Sequence, residues 1–429
     1  MKFIILSLTS LFLFGCSSND ETSTITNPIK NTPNILFIIA DDLGKDAING
    51  FSEGTIKPNT PNIDAIRNSG LSFTNFWSYP TCSPTRASIL TGKYGYRTGV
   101  KWAGDEISLS ETSLQKYINE QTNNKYSTAI IGKWHLSGNS STFNPEILGI
   151  DYYAGLIRGE PQNYYNWLLT EDGTSNIETD YATTKFTDLA TDWINQQEKP
   201  WFLWLAYNAP HAPFHTPPND MHSQGFLPEF SNGMDETPYY MASIEAMDFQ
   251  IGKLLENISE EERNNTVIIF IGDNGTPNEV AQSPYTFFTA KGSLNQGGIN
   301  VPMFISGNGV LRTGNDENLI TSTDLFSTIA QIAGVSSREI HDNKSFKSLL
   351  SQSERVRNFQ YCEKNDGTNN LWTISNGDYK LFKNENGNDE FYDLNNDPYE
   401  QNNLLNETLT TTENIIKTEL ETELNNIRN

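Results

Sequence analysis

Apolar residues gather along this chain in short unbroken runs. The clearest are Asn34–Ala40 (NILFIIA), Tyr126–Ile131 (YSTAII), Trp201–Ala206 (WFLWLA) and Thr266–Ile271 (TVIIFI). Each is rich in β-branched or aromatic residues, the pattern of a central strand buried on both faces. Between them, Glu111–Gln121, Tyr181–Gln197 and Tyr239–Ile258 carry a helical period. This alternation predicts an α/β domain over residues 34–350, built on a mixed, mostly parallel sheet sandwiched by helices. Helix Asp324–Ala333 (DLFSTIAQIA) is expected to pack on that sheet. A smaller C-terminal α+β unit is expected over residues 351–429, with short strands from Phe359 through Tyr392 and a terminal helix near Thr410–Ile427.

The first residues break this pattern. Lys2 precedes an apolar run from Phe3 to Phe14, then Gly15 and Cys16. A charged start, a short apolar stretch and a small residue predict a signal peptide over residues 1–16. Leu13-Phe14-Gly15-Cys16 resembles a bacterial lipobox, which implies palmitate on Cys16 and a membrane anchor. The expected location is that of an exported lipoprotein, on the outer membrane facing the periplasm or the cell surface. The alternative is an ordinary signal peptide that contains a Cys. Residues 17–33 are polar and read as a flexible tether.

Composition narrows the function. At 36% hydrophobic and 11% aromatic residues, the 429-residue chain is not disordered. Its 29 basic and 53 acidic residues leave a net charge of −24, which argues against a nucleic-acid partner. Beyond Cys16 only Cys82 and Cys362 remain, so no disulfide framework holds the fold. Cys362, in a predicted strand, reads as a small buried apolar residue.

The polar residues directly after each apolar run carry the chemistry. The first run leads into Asp41-Asp42-Leu43-Gly44, the second into Gly132-Lys133-Trp134-His135, the third into Asn208-Ala209-Pro210-His211 and the fourth into Gly272-Asp273-Asn274-Gly275. Any one of these could be a turn. In an open α/β sheet, however, all four would meet in the crevice at the carboxyl ends of the strands. Asp41, Asp42, Asp273 and Asn274 would offer only oxygens, and clustered carboxylates call for a cation among them. Oxygen-only ligation suits one calcium ion. Zinc is disfavoured because no Cys or His cluster at ligand spacing accompanies the acids.

Residues 82–100 read CSPTRASILTGKYGYRTGV. Their Cys-x-Pro-x-Arg core, together with DDLG, GKWH, NAPHAPF, GDNG and the closing segment FYDLNNDPYEQNNLL, resembles the type I formylglycine-dependent sulfatases of the alkaline-phosphatase superfamily. The resemblance covers nearly the whole chain after the leader. It implies the superfamily's large mixed sheet sandwiched by helices, with a smaller C-terminal subdomain. It also implies that a maturase oxidises Cys82 to formylglycine during export, reading Pro84 and Arg86. The hydrated aldehyde offers one hydroxyl to attack sulfur and a second whose deprotonation expels sulfate, a release step that a Ser nucleophile lacks.

The same resemblance assigns roles. Asp41, Asp42, Asp273 and Asn274, with modified Cys82, are the implied calcium ligands. Arg86 would hold the diol, Lys133 would bind beside the nucleophile, and His135 would be the base. His211 would contact sulfate and protonate the leaving oxygen, and Lys291 would be the second sulfate-binding Lys. His215 and His222 are candidate sugar contacts whose loss would spare a small aryl sulfate. The aromatic segment Asp151–Trp167 could stack on sugar rings or belong to the core.

Three segments depart from the family pattern: Gly272 for Thr or Ser, Ser137 after GKWH, and Gln296 and Asn300 for Glu and Arg. The expected substrate is a sulfated polysaccharide or oligosaccharide, with algal glycans favoured over glycosaminoglycans. The rivals are a phosphatase or phosphodiesterase of the same superfamily and a catalytically dead glycan-binding lipoprotein. Cys at position 82 and the scarcity of His weigh against the first, and an intact set of ligands and nucleophile against the second.

Overall fold

A computed structural model describes residues 32–429 apart from positions 139, 141, 142 and 338. The signal peptide, Cys16 and the tether through residue 31 lie outside the described residues. Residues 32–429 form one compact unit.

A ten-stranded sheet runs from edge to edge in the order Gly314–Asp316, Leu71–Phe73, Met303–Gly307, Thr266–Gly272, Asn34–Asp41, Trp201–Pro210, Ser127–Lys133, Tyr152–Leu156, Trp167–Glu171 and Thr174–Glu178. The five strands from Thr266–Gly272 through Tyr152–Leu156 are parallel, and all four apolar runs lie among them. Antiparallel pairing enters on both sides, through Met303–Gly307 and through the hairpin Trp167–Glu178.

Alternate residues of the central strand feed two cores. Ile35, Phe37 and Ile39 pack with Ala87 and Ile89 of helix Cys82–Thr91 and with Ile329 of helix Asp324–Ile332. Leu36, Ile38 and Ala40 pack with Phe186 of helix Ala182–Asn195 and Ile244 of helix Thr237–Asn257. A strand can supply both layers only if every position is apolar, which is why these runs do not alternate. The helix expected from Glu111 begins at Leu114, where the Ser113 hydroxyl accepts from Lys116 N–H and caps it.

The C-terminal strands Gln360–Asn365, Asn370–Ser375, Tyr379–Asn384 and Glu390–Asp393 form a small antiparallel sheet. Helix Thr411–Arg428 packs on it, opened by a capping box between Thr410 and Glu413. This C-terminal unit grips the loop after Lys291 at three places. Lys364 Nζ donates to Gly292 O at 2.8 Å, Lys380 Nζ donates to Leu294 O at 2.7 Å, and Gln296 N–H donates to Glu400 at 2.8 Å. Lys380 and Glu400 are themselves a buried ion pair at 2.6 Å.

Candidate active site

The parallel strands end together, and their carboxyl ends deliver the polar motifs to one place. Asp41 closes the central strand and Lys133 its second neighbour, while Asp273 follows Gly272. Lys133 Nζ meets Asp41 Oδ2 at 2.5 Å. Asp42 stands in the left-handed region at φ 67°, and its N–H donates to Asp273 Oδ1 at 3.1 Å. Lys291 Nζ reaches Asp42 Oδ2 at 2.5 Å, and Asn274 Nδ2 donates to Asp42 Oδ1 at 2.7 Å.

Cys82 opens helix Cys82–Thr91 and is buried against this cluster, with Sγ 3.0 Å from His135 Nδ1. His135 also has a left-handed backbone, at φ 57°. Such strain in a non-glycine residue persists only where surroundings impose it. One neighbour ties its backbone and another leaves room for its ring. Ser83 donates to His135 O at 2.8 Å, and a Cβ on Gly159 would lie 2.5 Å from the imidazole. One turn along the helix, Arg86 faces Asp273 and also donates to Lys133 O at 2.7 Å. The resemblance placed Arg86 on the diol; its guanidinium is engaged by Asp273 and the Lys133 carbonyl.

His211 sits across the cluster. Its Nε2 is 3.6 Å from Asp42 Oδ2, and Nδ1 is 2.7 Å from Ala212 O. A carbonyl can only accept, so Nδ1 carries the proton and Nε2 faces the site. His135 and His211 border a cavity of about 480 Å³ that Arg158, Glu160 and Gln162 also line. Sequence pattern does not reveal that loop, since its polar residues lie inside an aromatic stretch. Ser83 and Thr85, which donates to Asp273 O at 2.7 Å, are likewise hidden inside the nucleophile motif.

His215 and His222 stand differently. His215 stacks on Tyr164 with ring centroids 3.8 Å apart. Its Nε2 is 3.0 Å from the Tyr181 hydroxyl and its Nδ1 is 3.0 Å from Pro213 O, so both ring nitrogens are engaged by the protein. Tyr164 in turn donates to His211 O at 2.7 Å. His222 has two buried ring nitrogens with no hydrogen-bond partner.

Burial sets the protonation states. It pushes the Cys82 thiol up, with Asp41 and Asp273 adding to the effect against Lys133. A protonated thiol is a poor nucleophile. Burial, then the charges of Lys133 and Arg86, holds His135 well below the ordinary His value, so it is neutral and able to accept a proton. Burial likewise brings His211 to about 4. Asp273 is lifted to about 6 by burial and by the neighbouring Asp41 charge.

Two acceptors in the cluster have no donor: Asp41 Oδ1 and Asn274 Oδ1 are buried without a hydrogen-bond partner. One ligand atom from each of Asp41, Cys82 and Asp273 lies within 4.8 Å of the others. Unsatisfied buried oxygens beside ionisable carboxylates fit a hard divalent cation such as calcium. Three acids (Asp41, Asp42, Asp273) already meet three bases (Arg86, Lys133, Lys291), so a divalent ion would leave the pocket positive inside a protein of net charge −24.

Gly272 has a steric reason. A Cβ there would lie 2.1 Å from Leu43 O, so the Ser or Thr of the common pattern has no room.

A family model described as Sulfatase matches residues 33–335, and one described as N-sulphoglucosamine sulphohydrolase, C-terminal, matches residues 285–429. An uncharacterised sulfatase of Escherichia coli K12 is 28% identical over 368 residues, covering 72% of this chain and 63% of its own. Human N-acetylgalactosamine-6-sulfatase is 29% identical over 339 residues, covering 71% and 62%. The chain thus spans less than two thirds of the length of these relatives. Among solved structures, Ps i-CgsB in complex with k-i-k-neocarrahexaose superposes with a TM-score of 0.76 at 24% identity over 92% of each chain. BT4656 in complex with its substrate D-glucosamine-2-N,6-O-disulfate gives 0.76 at 21%, over 92% of this chain and 97% of that one.

Proposed function

The chain belongs to the sulfatase family, and on that premise we propose that it hydrolyses sulfate esters of carbohydrates, with position 82 as nucleophile after oxidation to formylglycine. The observation that carries this reading is Cys82 Sγ, 3.0 Å from a neutral His135 and buried beside the Asp41–Asp273 cluster. A buried, protonated thiol in that place does little as a thiol. A hydrated aldehyde there supplies both an attacking and a releasing hydroxyl.

The chain's own groups then have definite tasks. Lys133 and Lys291 place positive charge where the sulfuryl oxygens gain negative charge. His135, neutral and facing position 82, takes a proton from it. His211 keeps its own proton on Nδ1 against Ala212 O and presents a bare Nε2 to the site, so it can protonate the leaving oxygen only after a second proton has been taken up at Nε2. Asp41, Asp42, Asp273 and Asn274 would hold one calcium ion, which would supply electrostatic stabilisation and lower the pKa of the attacking hydroxyl.

The substrate is read as a sulfated polysaccharide or oligosaccharide, with algal glycans preferred. A maturase acting on Cys82 and lipid attachment at Cys16 of an outer-membrane lipoprotein complete the proposal. Both rest on sequence motifs. The deciding experiment coexpresses the enzyme with a formylglycine-generating maturase and assays 4-nitrophenyl sulfate, 4-nitrophenyl phosphate and sulfated oligosaccharides side by side. Turnover of the phosphate alone would favour the phosphatase reading. Palmitate labelling that survives Cys16→Ser would remove the anchor.

A further inference from the structure

The hairpin formed by Trp167–Glu171 and Thr174–Glu178 breaks the alternation that its burial imposes. Trp167 and Leu169 point into the core, so Leu168 between them belongs to the outer face, yet it is apolar and 39% exposed. Its direct cross-strand partner is Ile177, the one apolar residue of the exposed strand TSNIE and 68% exposed. That strand is the edge of the sheet. Apolar residues on an exposed edge invite aggregation, and a polar pair would cost the fold nothing.

The pair has a place to act. Leu168 and Ile177 line a cavity of about 400 Å³ with Asn166 and Thr170. Arg158, Glu160 and Gln162 line this cavity and also the one bordered by His135 and His211. The two hollows are therefore neighbours across a single loop. We propose that the hairpin cavity is a binding subsite for the sugar residue adjoining the sulfated one, so that the enzyme reads at least two residues of a glycan. This rests on the carbohydrate-sulfatase reading and deepens it. A sugar ring has an apolar CH face and a hydroxylated rim. Leu168 and Ile177 offer a floor for the first, and the Arg158–Gln162 loop with Asn166 offers polar partners for the second. Neither apolar residue touches the catalytic cluster, so the subsite contributes through substrate length alone.

The test compares wild type with Leu168→Ser/Ile177→Ser on mono-, di- and tetrasaccharides of carrageenan, chondroitin sulfate and heparin, with 4-nitrophenyl sulfate as the control. In the series that the wild type hydrolyses, kcat/KM should rise roughly tenfold from mono- to oligosaccharide. The double variant should lose that rise while hydrolysing 4-nitrophenyl sulfate as wild type does. Ile177→Tyr, which keeps an apolar surface, should retain the rise. An active wild type with no dependence on length, or a double variant that keeps it, overturns the subsite. So does a change in oligomeric mass in the double variant, which would make the patch a contact between copies. A wild type inert on every sulfate ester instead sinks the proposed function itself.

Discussion

Arg86 commits two guanidinium nitrogens to one oxygen of Asp273, Nε at 3.1 Å and Nη2 at 2.8 Å from Oδ2. Both residues are buried, and Arg86 also stands 3.9 Å from Asp41. Its charge keeps two carboxylates tolerable where water cannot reach them. Arg86→Met should therefore lower unfolding free energy by about 3–5 kcal/mol, the usual result of stranding one partner of a buried pair. Urea denaturation with and without calcium would check it, and calcium should restore part of the loss. A variant as stable as wild type would mean that Arg86 serves substrate rather than the cluster.

Calcium should matter more at neutral than at acidic pH. Asp273 in the folded protein sits at about 6, above its unfolded 3.8. Without a cation, the folded state holds that proton more tightly than the unfolded one. As pH rises from about 3.8 to about 6 this group thus costs stability, in full above about 6, and protonating it as pH falls back through that window restores the loss. The rise in Tm on adding calcium should be larger near pH 7.5 than near pH 5. Histidines that titrate over this range contribute with and without the ion and largely cancel in the difference. An equal rise at both values would count against Asp273 as a ligand.

Active protein should carry the aldehyde at position 82. Mass spectrometry of the peptide spanning Cys82 should show loss of the sulfur and of two hydrogens with gain of one oxygen, which separates the aldehyde from Ser, and Cys82→Ala should fold yet be inactive. Full activity from an intact thiol would end the formylglycine mechanism.

Kinetics should place His215 with the catalytic residues in effect, though it touches none of the reacting atoms. Lys133→Ala and His135→Ala should each lose about 10²- to 10³-fold in kcat on aryl and glycan sulfates alike. His215 has both nitrogens engaged and stacks on Tyr164, which holds His211 O. His215→Ala should then impair both substrates in proportion, by displacing His211. Loss on the glycan alone would return His215 to the sugar-binding role its sequence context suggested.

Replacing Gly272 by Thr, the residue common in the family, should destabilise this protein. The Cβ would come within 2.1 Å of Leu43 O, next to the Asp41–Asp42 turn. The strain has to be relieved by backbone movement, and overpacking of this sort costs about 1–3 kcal/mol. A lower Tm with weakened calcium binding is expected. Unchanged values would show that the turn yields easily.

Much of this is legible in the chain itself. Four apolar runs give the parallel centre of the sheet because a strand buried on both faces cannot alternate. The motifs after them give the site because strand ends converge. The edge hairpin Trp167–Glu178 is not legible, since Trp167-Leu168-Leu169 are apolar without alternation and Thr174–Glu178 is polar but for Ile177. Its apolar outer pair exists only across strands, as Leu168 beside Ile177.

Residue identity and order thus determined which groups could react: Cys82, the acids, the lysines and the histidines. Tertiary structure decided who partners whom. Arg86 meets Asp273 across 187 residues and Lys291 meets Asp42 across 249. The loop after Lys291 is held by Lys380 of the C-terminal sheet and by Glu400 beyond it, contacts that no local motif contains. Local pattern reports propensity and periodicity, which are properties of neighbours along the chain. A hydrogen bond between distant side chains depends on where the whole sheet brings its ends, and that is fixed only by the packing of both cores.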